Sequence, residues 1–229
     1  TRTPLAGCEV AKKVPVADAR SAKISDSTVR RLSLYLRLLQ EADAQREETI
    51  SSEALADRSG TTSAQVRKDL SLFGSFGKRG LGYGVPELLR ELREILGLNR
   101  RWKVALIGAG KIGSALISYR NFQLRGFAIE AVFDVDPRKI GRNLAGQEIL
   151  DDHEMERTMA EKGIEIAIVA VPAEAAQAVV DRIVASGVSA VLNFAPVRLR
   201  VPEGVALRHV DMVVELEGLA FALTSEERR

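Results

Sequence analysis

Lys103-Val104-Ala105-Leu106-Ile107-Gly108-Ala109-Gly110-Lys111-Ile112-Gly113 is the stretch that decides the fold. It reads as a short apolar strand running into G-x-G-x-x-G, with a helix opening behind it. The glycine pattern alone is weak. A strand before it and a helix after it are what its mechanism requires. Gly108 makes the tight turn, Gly110 lets a pyrophosphate approach the helix N-terminus, and Gly113 lets helix pack closely on strand. Ala109, Lys111 and Ile112 complete the loop. The next strand ends at Asp134, 21 residues beyond Gly113. An acid there accepts the ribose hydroxyls of NAD and repels the 2′-phosphate of NADP. Arg138 and Lys139 lie close by and weaken that preference. Ser114 stands where a Walker A loop needs Lys, so that loop is excluded. A different nucleotide, such as the adenine end of coenzyme A, stays open as an alternative.

Outward from the fingerprint toward the C-terminus, apolar runs at 104–107, 129–133, 164–171 and 188–192 alternate with helical patterns near 112–120, 152–162 and 173–186. That rhythm predicts βαβ units and a parallel sheet. Residues 212–223 are apolar enough for a buried helix packed on another domain or subunit. The last clear strand ends in Asn193-Phe194-Ala195-Pro196, an apolar wall with no acid or base. Such a wall beside a nicotinamide disfavours the cationic ring of NAD+ and accepts the neutral ring of NADH. A dehydrogenase needs a proton donor or acceptor there. The only histidines are His153 and His209, and both read as surface or core residues. About 30 residues follow the sheet, too few for a substrate domain. A non-enzyme is expected, with no catalytic residue. The alternative is a small NAD(P)-dependent oxidoreductase carrying an N-terminal interaction module.

Toward the N-terminus the rhythm is helical. Val29, Leu32, Tyr35, Leu36 and Leu39 share one face of a helix that ends near Gln45. A short helix spans 52–58, and Ser59-Gly60-Thr61 breaks it. A third starts at Thr62, where Thr62 and Gln65 are spaced as a capping box, and runs to Phe73. Two short helices joined by a tight Gly-containing turn make a helix-turn-helix. The start of its second helix carries Ser63, Gln65, Arg67 and Lys68, placed to face base edges in the major groove. Gln pairs bidentately with adenine and Arg with guanine. Five glycines then fall between Gly74 and Gly84. Phe76, Leu81, Tyr83 and Val85 suggest a small hairpin exposing Lys78 and Arg79, a basic wing. Pro86 suits the first turn of a following helix and Gly97 its stop.

The charge pattern agrees. Residues 1–102 hold 18 Lys and Arg against 13 Asp and Glu, whereas residues 103–229 hold 15 against 18. A basic front half suits a polyanion such as DNA. At 46% hydrophobic over 229 residues the chain supports two cores, mostly aliphatic because aromatics are 5%. The apolar runs are too short to span a bilayer, and no secretory leader is visible. The single cysteine, Cys8, excludes a disulfide framework and a cysteine-cluster metal site. The expectation is therefore a cytoplasmic α/β protein without metal or membrane partner. Its parts are a disordered tail at 1–23, a winged helix-turn-helix domain at 24–97, a linker at 98–102, a Rossmann domain at 103–210 and a C-terminal helix with tail at 211–229.

Taken together, these stretches resemble the Rex family of redox-sensing repressors. The matching runs are Gln65-Val66-Arg67-Lys68-Asp69-Leu70-Ser71, Phe73 through Tyr83, Leu96-Gly97-Leu98-Asn99, Gly108–Gly113, Phe133-Asp134-Val135-Asp136-Pro137 and Asn193-Phe194-Ala195-Pro196. The resemblance covers roughly residues 24–223. It implies a homodimer whose C-terminal helix swaps onto the partner's Rossmann domain. It implies binding to palindromic double-stranded operator DNA, released by NADH and permitted by NAD+. The implied cofactor site takes in Gly108, Ala109, Gly110, Lys111, Ile112, Gly113, Asp134, Pro172, Asn193, Phe194, Ala195 and Pro196. The implied DNA contacts are Ser63, Gln65, Arg67, Lys68, Lys78, Arg79 and Tyr83. A ligand-sensitive network is implied at Arg37, Tyr119 and Asp211. Met212 departs from relatives that place an aromatic after that Asp, near the partner's nicotinamide. Lys78 departs from relatives with a small or polar wing residue.

Overall fold

The computed structural model describes residues 24–74, 76–77 and 81–226. The expected tail at 1–23 and the wing residues Lys78 and Arg79 lie outside these. The chain divides into two compact units between Gly97 and Leu98.

In the first unit, α1 (Asp26–Ala44) is capped by the Ser25 side chain, which accepts the Thr28 N–H. It buries Leu32, Tyr35, Leu36 and Leu39, whereas Val29 in its first turn stays exposed. A two-residue strand β1 (Thr49–Ile50) leads into α2 (Ser52–Ser59). Gly60 caps α2 in the left-handed region at φ 66°, a conformation glycine adopts without strain. Helix α3 (Ser63–Ser71) follows, shorter than the reading to Phe73, because Leu72 and Phe73 turn away. The capping box forms by half. Thr62 Oγ1 accepts the Gln65 N–H, but the Gln65 side chain turns to Asp69.

The expected hairpin of Phe76, Leu81, Tyr83 and Val85 turns through residues 78–80, which lie outside the described residues. Strand β2 (Tyr83–Gly84) pairs antiparallel with β1, Tyr83 opposite Ile50 and Gly84 opposite Thr49. Val85 already begins α4 (Val85–Ile95), with Pro86 in its first turn. The pairing requires a close approach at Gly82, where a Cβ would sit 2.5 Å from the Ile50 carbonyl oxygen. Helix α4 buries Leu88 and Leu92 against α1, and Gly97 at φ 68° stops it.

The second unit holds β3 (Trp102–Ile107), α5 (Lys111–Ile117), α6 (Asn121–Leu124), β4 (Phe127–Asp134), β5 (Asn143–Leu144), β6 (Gln147–Asp151) and α7 (Met155–Lys162). It continues through β7 (Ile166–Val169), α8 (Ala173–Ala185), β8 (Ala190–Asn193), β9 (Ala206–His209) and α9 (Met212–Glu226). The seven strands run β5-β6-β4-β3-β7-β8-β9, parallel except for β5. Without β5 this is the 3-2-1-4-5-6 order of doubly wound dinucleotide folds. Alternate residues of β3 face opposite layers. Ala105 and Ile107 pack with Met155, Met159, Val180 and Ile183 of α7 and α8. Val104 and Leu106 pack toward Leu116, Ile117 and Phe122 of α5 and α6.

One further difference concerns the C-terminal part. The sheet does not end at β8. Strand β9 adds a parallel edge, Asn193 opposite His209. Among the described residues nothing covers the apolar side chains of α9: Met212, Val213, Val214, Leu216, Leu219, Leu223 and Phe221, the last 75% exposed, are all exposed.

Candidate functional site: a dinucleotide cavity and a basic recognition helix

The cavity opens at the carboxyl ends of β3 and β7, the point where the strand order reverses and where ligands of open parallel sheets bind. Its volume is 670 Å³. Of the residues expected to hold cofactor, Gly108, Gly110, Lys111, Ile112, Asp134 and Pro172 line it. Helix α5 begins at Gly110 with no side-chain cap and no acid in its first turn. Its first N–H groups and the positive end of its dipole are thus directed to an anion.

Ala109 and Gly113 serve the loop rather than the wall. The Ala109 N–H donates to Asp134 Oδ2 at 2.8 Å. A Cβ on Gly113 would occupy the space of the Gly108 carbonyl oxygen, so only glycine lets α5 lie this close to the turn. Gly108 itself is at φ 96°, and a Cβ there would meet the Ala170 carbonyl oxygen at 2.5 Å.

Asp134 is 7% exposed. Its Oδ1 accepts the Asp136 N–H at 2.8 Å and its Oδ2 also accepts Lys139 Nζ at 2.9 Å. Burial pushes its carboxyl up, but the hydrogen bonds from Lys139, Asp136 and Ala109 outweigh burial and hold it below the usual carboxylate range. Three of its roughly four acceptor positions are filled, so it orders the fingerprint loop and keeps capacity for one ribose hydroxyl. Arg138 forks onto Asp136 at 2.9 and 3.0 Å. Both cations named as weakening the NAD preference are therefore already paired with carboxylates.

Asn193, Phe194, Ala195 and Pro196 do not line this cavity. Asn193 is fully buried, and its amide is committed to its own loop. Oδ1 accepts the Ala195 N–H, and Nδ2 donates to the Ala195 and Val197 carbonyls and lies 3.0 Å from His209 Nδ1. Asn193 shapes the loop rather than offering its amide to a ligand. Neither His153 nor His209 lines the cavity. Lys139, read from the sequence as close to Asp134, lines it, as do Val135, Asp136, Asp152, Val171, Ala175 and Val179, which sequence reading did not place there. The fold brings them in from β4, β6, β7 and α8.

In the first unit, Ala64, Arg67, Lys68 and Ser71 form the exposed stripe of α3, at the i, i+3, i+4, i+7 spacing of one helix face. Arg67 Nη1 rests on Ser52 Oγ at 2.8 Å with its side chain largely exposed. Ser63 is half-buried. Two of the expected DNA contacts have partners within the unit. Gln65 donates its Nε2–H to Asp69 Oδ1 at 2.8 Å, so its amide supports the helix from within. Tyr83 is 8% exposed and pairs in the two-stranded ladder, so its ring belongs to the packing of the domain.

The feature missed in this unit is Asp69. It sits inside the run Arg67-Lys68-Asp69, which reads as surface, yet its side chain is 2% exposed. Arg31 of α1 forks onto it at 2.6 and 2.8 Å, and the Tyr35 hydroxyl donates to it at 3.1 Å. This network fixes α3 to α1. Burial and the hydrogen bond to Asp69 push the Tyr35 hydroxyl up to about 12. Burial raises the Asp69 carboxyl, and hydrogen bonds from Arg31, Gln65 and Tyr35 hold it below its ordinary range.

The expected coupling residues each have local partners. Arg37 lies 3.6 Å from Glu41. Tyr119 packs edge-on against Phe122 and accepts from Asn121 Nδ2. Asp211 Oδ1 accepts the Val213 N–H at the start of α9.

A helix-turn-helix unit joined to a dinucleotide-type Rossmann unit is the build of a ligand-responsive transcriptional regulator. Residues 23–71 match a family described as a putative DNA-binding protein N-terminus, and residues 99–197 match the CoA binding domain family. The chain is 46% identical over 209 residues to the redox-sensing transcriptional repressor Rex of Desulforamulus reducens, covering 91% of this chain and all of that protein. It is 49% identical over 199 residues to the Rex of Carboxydothermus hydrogenoformans, covering 87% of this chain and 96% of the relative. It also resembles the structure of RSP, a Rex-family repressor, in complex with NAD+ and operator DNA. That likeness has a TM-score of 0.85 at 37% identity and covers 89% and 94% of the two chains. RSP in complex with NADH gives a TM-score of 0.83 at 35% identity, covering 90% of this chain and 97% of that one. The chain belongs to the Rex family of redox-sensing transcriptional repressors. Among the described residues, no helix is long and apolar enough to cross a membrane.

Proposed function

We propose that this chain binds palindromic operator DNA as a homodimer and releases it when NADH fills the cavity at the sheet's switch point, so that transcription follows the NADH/NAD+ ratio. The observation that carries this is one chain holding both an uncapped helix N-terminus beside Asp134 and an exposed Arg67–Lys68 recognition face. NAD(H) is favoured over NADP(H) because Asp134 is held ionised, and Lys139 and Arg138 already serve carboxylates. Coenzyme A is the ligand that competition against NADH would expose.

The apolar face of α9 suits a second copy of the chain, because a helix this exposed is costly in water. Arg37, Tyr119 and Asp211 would sense the ligand, and the Phe194–Pro196 wall would prefer the neutral nicotinamide ring. Two dimer arrangements differ in recognition-helix spacing; DNA stabilises one and NADH the other. The ligand shifts them only by its differential affinity. Coupling is reciprocal, so operator DNA weakens NADH binding by the same factor.

Asp134→Ala tests the reading. The variant is expected to bind a palindromic operator as wild type does without nucleotide, and to keep that DNA at NADH concentrations that release wild type. Loss of DNA affinity in the absence of any nucleotide would assign Asp134 a purely architectural role.

A further inference from the structure

The cavity that Asp134 lines also takes in a further carboxylate, that of Asp152. Strand β6 lies beside β4, with Asp151 opposite Asp134, and the chain leaves β6 directly into Asp152. A dinucleotide with its pyrophosphate at the start of α5 and its ribose at Asp134 must lay its base over the ends of β4 and β6. The walls there are apolar: Val135 on one side, Ala175 and Val179 of α8 on the other. Asp152 shares the cavity lining with Asp134, Asp136 and Lys139, and its side chain is 15% exposed.

Arg182 fixes it. Ala175, Val179 and Arg182 follow one another at i, i+4, i+7 along the same face of α8. Arg182 Nη1 donates to Asp152 Oδ2 at 2.6 Å and Nη2 to the Asp152 carbonyl at 2.7 Å. The same guanidinium forks onto Glu156 at 2.6 and 2.9 Å. Side chain and backbone of Asp152 are thus held from two directions. No hydrogen bond from the described residues engages Oδ1.

We infer that Asp152 reads the base: its carboxylate accepts from the exocyclic amino group of adenine, with Arg182 as its positioning residue. The inference rests on the dinucleotide reading of the cavity and adds the purine specificity to it. A carboxylate accepts only. A purine with a carbonyl in place of that amine loses the hydrogen bond and faces the carboxylate with a second acceptor. A charge-assisted hydrogen bond in a partly buried slot corresponds to about tenfold or more in affinity.

The test compares NADH with reduced nicotinamide hypoxanthine dinucleotide, which differs only in that group, by calorimetric titration of the full chain. Wild type is expected to bind NADH about tenfold or more tightly than the hypoxanthine analogue. Asp152→Asn, whose amide both donates and accepts, is expected to bring the ratio close to one. Arg182→Lys keeps the charge but not the fork, and is expected to lower the ratio. Asp134→Ala weakens both dinucleotides and leaves the ratio intact. Equal binding of the two by wild type, or a ratio retained in Asp152→Asn, overturns the assignment. An unchanged ratio in Arg182→Lys removes Arg182 from it. If wild type binds neither dinucleotide, the dinucleotide reading itself falls and the base assignment with it.

Discussion

Replacing Gly110 by alanine is expected to leave the melting temperature of the protein unchanged while weakening NADH binding about tenfold to a hundredfold. The backbone at Gly110 has φ −79° and ψ −166°, which alanine adopts freely. A Cβ there meets nothing within 4 Å, because it points into the space a pyrophosphate would fill. The methyl group holds the phosphates off the α5 N–H groups and removes charge-assisted hydrogen bonds. Gly113→Ala, three residues further along the chain, behaves in the opposite order. Its Cβ collides with the Gly108 carbonyl oxygen, so α5 must move off β3, at a cost of about 1–3 kcal/mol or more in stability. Thermal unfolding and NADH titration of the two variants separate the roles. A Gly110→Ala protein that binds NADH like wild type would show that the helix N-terminus carries no phosphate.

Asp69→Ala is expected to cost the DNA-binding unit about 3 kcal/mol and to abolish operator binding, while NADH still binds the Rossmann unit. The carboxylate is nearly inaccessible, and its loss strands the Tyr35 hydroxyl and the Gln65 amide beside Arg31. Arg31 is 28% exposed, so water takes back part of its charge and the figure sits at the low end for a broken buried pair. The same network predicts two pH limits. Asp69 titrates below its ordinary range when folded, so its contribution is present above the unfolded carboxylate pKa of about 4 and is lost as pH falls further. Tyr35 titrates at about 12 rather than 10.0. Its contribution is complete below pH 10 and disappears between there and 12. Tyr35→Phe is expected to remove that alkaline loss from the unfolding midpoint of the first unit. Full operator binding by Asp69→Ala would contradict the network's role in placing α3.

What the sequence discloses is what chemistry encodes in adjacent residues. The fingerprint, its flanking strand and helix, and Asp134 at the next strand end are read from spacing alone, because each glycine answers a local demand of the turn. The Gly60 break and the α3 stripe are local in the same way. What stays hidden is assembled across distance. Strand β2 takes a partner from Thr49–Ile50, which precedes the helix-turn-helix, a pairing that no local spacing encodes. Asp69 is buried by Arg31, 38 residues away, and in the sequence it passes for one more surface charge. Strand β9 is four residues with an exposed polar edge, too short and too polar to announce itself. Asp152, Ala175 and Val179 reach the cavity only because β6 and α8 converge there. The long apolar run after Asp211 was legible as a helix needing cover.

The measurement that reaches the central claim most directly is fluorescence anisotropy of a labelled palindromic operator bound to the full chain, titrated with NADH against a constant background of NAD+. The account predicts that NADH releases the DNA and that NAD+ alone does not. DNA that stays bound through saturation of the cavity with NADH would contradict it, leaving a DNA-binding unit and a nucleotide-binding unit without redox coupling between them.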